Sequence, residues 1–182
     1  MCSESNVESD VPDLSDSVTK KVVLRASRAR VWRAISDSAE FGSWFGMRVE
    51  GPFVAGTSVK GIITPTTVDN DVAQLQRSFE GLVFELRIVA VEPERLLSFR
   101  WHPHAVDREV DYSHEEPTLV SLLLEETSAG VLLTVTESGF DRIPPERRAK
   151  AFAANEAGWA KQCELIGKYL AARDDGIAVG VV

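Results

Sequence analysis

From Leu82 to Ala90 every even position is apolar (Leu82, Phe84, Leu86, Ile88, Ala90), while Glu85 and Arg87 point the other way. A period of two with one polar side is the mark of a strand half-buried in an antiparallel sheet. The pattern returns three times: at Leu97, Phe99 and Trp101; at Val120, Leu122 and Leu124; and at Val131, Leu133 and Val135. Glu92-Pro93-Glu94-Arg95 and Ser128-Ala129-Gly130 are turns, and nothing between these strands has the periodicity of a crossover helix. Four consecutive strands joined this way form an antiparallel meander, which excludes a parallel, doubly wound architecture.

The meander has one apolar face to cover, and the chain supplies the cover next. Pro144-Pro145-Glu146 opens a helix, because a proline in the first turn gives up an N–H that has no partner anyway. The helix is expected to run to about Ala172. At 100° per residue, Phe152, Trp159, Cys163, Ile166 and Leu170 fall within about 40° of one line, a stripe that must lie against the sheet. Upstream, Val18 to Arg25 reads as the first strand. Ser27 caps a short helix carrying Val31, Trp32 and Ile35, and Asp37 with Glu40 forms a capping box for a second, carrying Phe41, Trp44 and Phe45. Glycines at 46, 51 and 56 punctuate two short strands near 47–50 and 57–63, and Pro65 to Asp71 reads as a loop.

A chain of 182 residues, 44% of them hydrophobic, suffices for one domain with a sizeable core. The expected division is an acidic tail at 1–16, one domain at 17–172 and a short tail at 173–182. The net charge of -8 is concentrated in two places, since residues 1–16 carry -5 and residues 104–117 carry -4. The rest is about neutral, so no basic face is available to a nucleic acid. Two cysteines, Cys2 and Cys163, make a disulfide framework implausible. No basic–apolar leader and no apolar run of about 18 residues is present, so membrane insertion is not expected and a cytoplasmic protein is.

Four groups of residues together resemble a known family. These are Val31-Trp32-Arg33-Ala34-Ile35 through Trp44-Phe45-Gly46, the strand after Gly81 leading to Val91-Glu92-Pro93-Glu94-Arg95-Leu96, Thr136-Glu137-Ser138-Gly139-Phe140, and Gly158-Trp159 with Leu165 and Tyr169-Leu170. In order and spacing they are similar to the Hsp90-ATPase-activator-homologue branch of the START/Bet v 1-like (SRPBCC) superfamily, over about residues 17–172. The resemblance implies an α+β helix-grip fold: a curved antiparallel sheet wrapped around a long C-terminal helix, with two short helices after the first strand and a cavity between sheet and helix. It also implies apolar or amphipathic small-molecule ligands, and the eukaryotic namesake stimulates a chaperone ATPase.

Within such a fold, Trp44, Phe45, Phe84, Trp101, Phe152 and Trp159 are the candidate aromatic lining, with core packing as the alternative for each. Asn155 and Glu156 lie about 60° and 40° from the helix stripe and are candidate polar lining. Glu137 follows Val135 at period two, so it shares the face of Val131 and Leu133. It is a candidate acid, base or hydrogen-bond acceptor for a ligand, or else a carboxylate at a wet strand mouth or paired with arginine. His102, His104, Asp107 and His114 are the one metal-like group. Pro103 interrupts their spacing, and they are expected to be surface histidines of a mobile acidic loop. No phosphate loop, dinucleotide fingerprint or nucleophile elbow appears, so neither a cofactor nor covalent catalysis is expected.

Three functions remain: binding of an apolar or amphipathic small molecule, contact with a chaperone or a second copy of the chain, and a cavity enzyme, cyclase or hydrolase, using Glu137. The first is favoured. The insertion 103–117 separates two strands that a hairpin of two to five residues would join, and is expected at one end of the sheet as a mobile lid, or as a passive insertion.

Overall fold

A computed structural model describes residues 16–174. The tails expected at 1–16 and 173–182 lie, apart from Asp16, Arg173 and Asp174, outside the described residues. Seven strands form one antiparallel sheet: β1 (Ser17–Leu24), β2 (Met47–Glu50), β3 (Ser58–Ile63), β4 (Val83–Glu92), β5 (Leu96–Trp101), β6 (Thr118–Thr127) and β7 (Gly130–Ser138). Their order is β1-β7-β6-β5-β4-β3-β2. The meander expected from the alternating segments is thus extended by β2 and β3 at one edge, and β1 closes the other by pairing with β7 from Ser17↔Ser138 to Leu24↔Val131. A register shift between Ile88 and Ala90 interrupts the β4–β5 ladder, and such bulges bend a strand.

The helices are α1 (Arg28–Ser36), α2 (Ser38–Phe45), α3 (Asn70–Gln76) and α4 (Pro145–Asp174). Ser27 and Asp37 cap α1 and α2 as the sequence indicates, each side chain accepting from backbone N–H groups of the first turn. In contrast, α3 and the 3-10 turn Arg77–Phe79 stand in a segment read only as a loop as far as Asp71. Asp69 caps α3 by accepting from the N–H groups of Asp71 and Val72.

The 30-residue α4 lies across the concave face of the sheet. Its stripe residues Trp159, Cys163, Ile166 and Leu170 are buried with Leu165 and Tyr169, against Val131, Leu133 and Val135 of β7 and Leu122 and Leu124 of β6. Burial of a Trp, Ile or Leu contributes roughly 25 cal/mol per Å² of apolar surface, which makes this layer the main source of stability. A polar cluster fastens α1 and α2 to α4: Glu40 accepts from Arg30 at 2.8 Å and from the Tyr169 hydroxyl at 2.9 Å, and pairs with Arg33 at 2.9 Å. The guanidinium of Arg30 lies 5.5 Å from the centre of the Tyr169 ring.

Candidate functional site

Among the described residues Glu137 is the most deeply buried charged one, with no solvent exposure. It does occupy the helix-facing side of β7, where alternate residues from Val131 onward are buried. The alternative of a wet strand mouth or an arginine partner is wrong, because every bond to its carboxylate comes from a neutral donor. Oε1 accepts from the indole N–H of Trp101 at 2.8 Å and from the hydroxyl of Thr118 at 2.6 Å. Oε2 accepts from the amide of Asn155 at 2.8 Å and from the indole N–H of Trp159 at 2.6 Å. A buried carboxylate is tolerated only when its lone pairs are met in this way. Its chemical consequence is positional, since β5, β6 and α4 all converge on one residue of β7, and two tryptophan rings are fixed in angle.

Those rings form two walls of a recess. Trp101 and Trp159 have centroids 6.0 Å apart, Phe84 lies 5.6 Å from Trp101, and Phe45 lies 5.9 Å from Trp159. Around them Ile63 from β3, Leu82 before β4, Gln76 of α3, Phe79, His104 and Val106 of the insertion, and Ala154, Asn155, Gly158 and Gln162 of α4 complete a pocket of about 270 Å³. Its lining carries no lysine, arginine, aspartate or glutamate. A larger depression of about 430 Å³ lies beside it on the outer side of β4, lined in part by the exposed Val83, Glu85 and Arg87. That one is a mixed polar groove without an aromatic box.

The end of α2 shapes the inner rim. Helix C-terminal carbonyls lack an intrahelical partner, and that of Phe45 accepts from Gln76 at 3.0 Å and from Gln162 at 3.0 Å. Gly46 follows in the left-handed region at φ 88°, where any side chain is strained, and a Cβ there would stand 2.3 Å from Gln76 Oε1 and displace the amide that bonds the Phe45 carbonyl.

Of the residues expected to line a cavity, Phe45, Phe84, Trp101, Asn155 and Trp159 line this pocket. Glu137 stands behind its wall. Trp44 does not line it: 1% exposed, it packs edge-on against Phe41 and donates to the Ala34 carbonyl inside the core. Phe152 packs instead on Phe140, with ring centres 5.1 Å apart. Glu156 is exposed and pairs with Lys20 of β1 at 3.3 Å, because the sheet covers the other flank of the helix stripe. Gln162 was missed, although Asn155, Trp159 and Gln162 are spaced i, i+4, i+7 on one helix face.

The histidines of the insertion are not equivalent. His102 Nε2 lies 3.0 Å from the Glu115 carbonyl and His114 is exposed beside Asp111, but His104 lines the pocket, with Nε2 buried and unbonded among the described residues. Burial, with the nearby charges of Lys150 and Arg147, holds the His104 imidazole below its ordinary value of 6.5. It is therefore no plain surface histidine. Among the described residues no group of three or more His, Cys, Asp or Glu is placed to hold a metal ion, and no helix is long and apolar enough to cross a membrane. The insertion lies at the end of β5 and β6 and is held by Arg147 of α4, which forks onto Glu115, donates to the Pro103 carbonyl at 2.9 Å and stacks 4.8 Å from the Tyr112 ring centre.

Comparison with solved structures places this architecture among known ones. Protein MLL2253 of Mesorhizobium loti matches with a TM-score of 0.63 at 20% identity, over 86% of this chain and 97% of its own. A solution structure from Arthrobacter aurescens matches with a TM-score of 0.63 at 15% identity, over 87% of each chain. DynU16, from the dynemicin biosynthetic locus, matches with a TM-score of 0.61 at 23% identity, over 87% of this chain but only 48% of its own. At these identities the likeness is one of fold. No curated protein matches the sequence. The family described as Activator of Hsp90 ATPase homolog 1-like protein matches residues 25–171, and with helix-grip topology and matching segments in agreement, the chain belongs to that family.

Proposed function

We propose that the protein binds a small, predominantly apolar molecule in the pocket between sheet and α4. One observation carries this reading: four aromatic side chains from α2, β4, β5 and α4 meet around a recess, and a buried carboxylate holds the indole N–H groups of two of them. Such a recess leaves apolar surface open to water, and covering it with an apolar ligand contributes roughly 25 cal/mol per Å². Small-molecule sites are mostly apolar concavities with a few placed polar groups, and the lining here has that composition.

Glu137 supports this reading better than it supports catalysis. An acid or base must reach a reacting atom, and both of its oxygens are already engaged with protein donors. Native mass spectrometry of the protein isolated from its own host tests the proposal. A non-covalent adduct of small mass is the expected result, absent when Gly158→Leu partly fills the mouth. A bare protein that also fails to take up any apolar probe would overturn it. Family membership favours a second reading, contact with a chaperone, and a chaperone ATPase assay separates the two, since a ligand carrier leaves turnover unchanged.

A further inference from the structure

The two recesses adjoin, and one short segment of the insertion separates them. His104 and Val106 line the pocket, Ala105 and Asp107 line the larger depression on the outer side of β4, and Leu82 and Phe84 belong to both. Successive side chains thus turn to opposite sides, which makes residues 104–107 the partition. Its anchor is Arg147 of α4, which donates to the Pro103 carbonyl at 2.9 Å and forks onto Glu115. Arg108 ties the far end to the Glu80 carbonyl at 2.9 Å. Beside the anchor, His104 stands in the left-handed region at φ 49°, uncommon for a residue with a side chain. Such a conformation persists only where its surroundings hold it.

His104 Nε2 is buried and has no hydrogen-bond partner among the described residues. A protonated imidazole carries an N–H on both nitrogens whichever neutral tautomer precedes it, so a proton makes Nε2 a buried donor without an acceptor. The charges that act on the ring oppose the proton as well. Arg147 and Lys150 of α4 lie near it, and the pocket lining from the strands, α2 and α3 offers no carboxylate. Within the insertion, Asp107 lines the other recess and Glu115 is taken by the Arg147 guanidinium. Burial first, then those two cations, hold the imidazole below 6.5. The closed partition therefore binds the proton less well than a hydrated ring does. Its stability is complete above pH 6.5 and is lost as pH falls through the lower folded value. We infer that the partition is an acid-released gate: protonation of His104 drives its ring from the pocket edge, loosens residues 104–107 and speeds ligand entry and exit. That it governs ligand exchange rests on the pocket being the binding site. The guanidinium that repels the imidazolium is also the one holding the Pro103 carbonyl, so the new charge acts directly on the anchor.

Full-length protein between pH 5 and 8 serves for the test, and no natural ligand is needed. Carbon-13 NMR of the His104 ring and the Val106 methyl groups reads the partition itself. Stopped-flow binding of N-phenyl-1-naphthylamine, an apolar probe that is neutral across this range, reads the exchange. The His104 ring should titrate below 6.5, with the Val106 methyl shifts following the same midpoint. Both probe rates should rise by up to about tenfold per pH unit between 6.5 and that midpoint. His104→Asn keeps a residue tolerant of the left-handed region but cannot titrate, and its probe rates should be flat across the range. Acid acceleration that persists in this variant, or Val106 methyl groups that stay still while His104 titrates, overturns the gate and leaves the pocket standing. A probe that binds at no pH overturns the pocket as the binding site, and the exchange role with it, while the two NMR midpoints still decide the acid-released partition. Should His104→Asn not fold, coincidence or separation of those midpoints in the wild-type protein decides alone.

Discussion

A carboxylate sealed among two indoles, an amide and a hydroxyl is intolerant of its nearest isostere. In Glu137→Gln one acceptor oxygen becomes an amide NH₂, so at least one pair of donors, either Trp101 with Thr118 or Asn155 with Trp159, faces another donor. Hydrogen bonds to charged groups contribute about 1.5–3 kcal/mol each, and the loss should reach about 3 kcal/mol in urea denaturation, with both indole N–H resonances displaced. A second residue-scale prediction concerns pH. Burial pulls the Glu40 carboxyl upward, but bonds from Tyr169 and Arg30 and the charges of Arg30 and Arg33 outweigh it and hold it below 4.5. Tyr169 is pushed above 10.0, by burial first and then by its bond to Glu40. The carboxylate's contribution is therefore complete above pH 4.5 and lost as pH falls through the lower folded value. The phenol's is complete below pH 10 and lost as pH rises through the higher one. Tyr169→Phe should flatten the alkaline limb of a stability–pH curve, and Glu40→Gln the acid limb, measured by thermal melts across pH 3–11.

Elements make their own predictions. Gly158 stands in the interior of α4 at the pocket lining, and a Cβ added there meets nothing within 4 Å. Gly158→Leu should raise stability by about 0.8–1 kcal/mol through helix propensity and yet weaken ligand binding by occupying the pocket mouth. Opposite signs from one substitution distinguish a site from a core position, and melting together with probe titration reads both. The insertion 103–117 is held to α4 through Arg147. Arg147→Ala should leave the sheet intact but release His104 and Val106 from the pocket edge, raising both on- and off-rates in stopped-flow binding; unchanged rates would make the insertion passive. Strands and α4 were legible in the sequence because alternation and a helical stripe are local signals. By contrast α3 was not, since Ala73 is its one buried residue and so it carries no periodic pattern. The wheel position of Glu156 said only how far it lies from the stripe, and which flank a curved sheet covers is decided by tertiary packing. Glu137 was legible as a buried-face residue. Its four donors were not, because Trp101, Thr118, Asn155 and Trp159 reach it from three other elements.

At the scale of the molecule, the core is one continuous layer from Val18 of β1 to Leu170 of α4, which predicts a single cooperative transition. Cys163 sits within that layer, and burial pushes its thiol up to about 11. In a Cys2→Ser variant it should react with a thiol reagent at pH 8 only as fast as the whole domain opens, so its labelling rate and the unfolding free energy should respond in parallel to core mutations. The pairing of β1 with β7 has a further consequence, in time rather than in space. Val18 and Leu24 are buried only once the strand ending at Ser138 lies beside them. Synthesis proceeds at roughly 5–20 residues per second, so about 120 further residues keep the first strand waiting for roughly 6–24 s. During that interval β1 is a strand without its partner, and the protection it needs must come from the ribosome's surroundings and not from the fold.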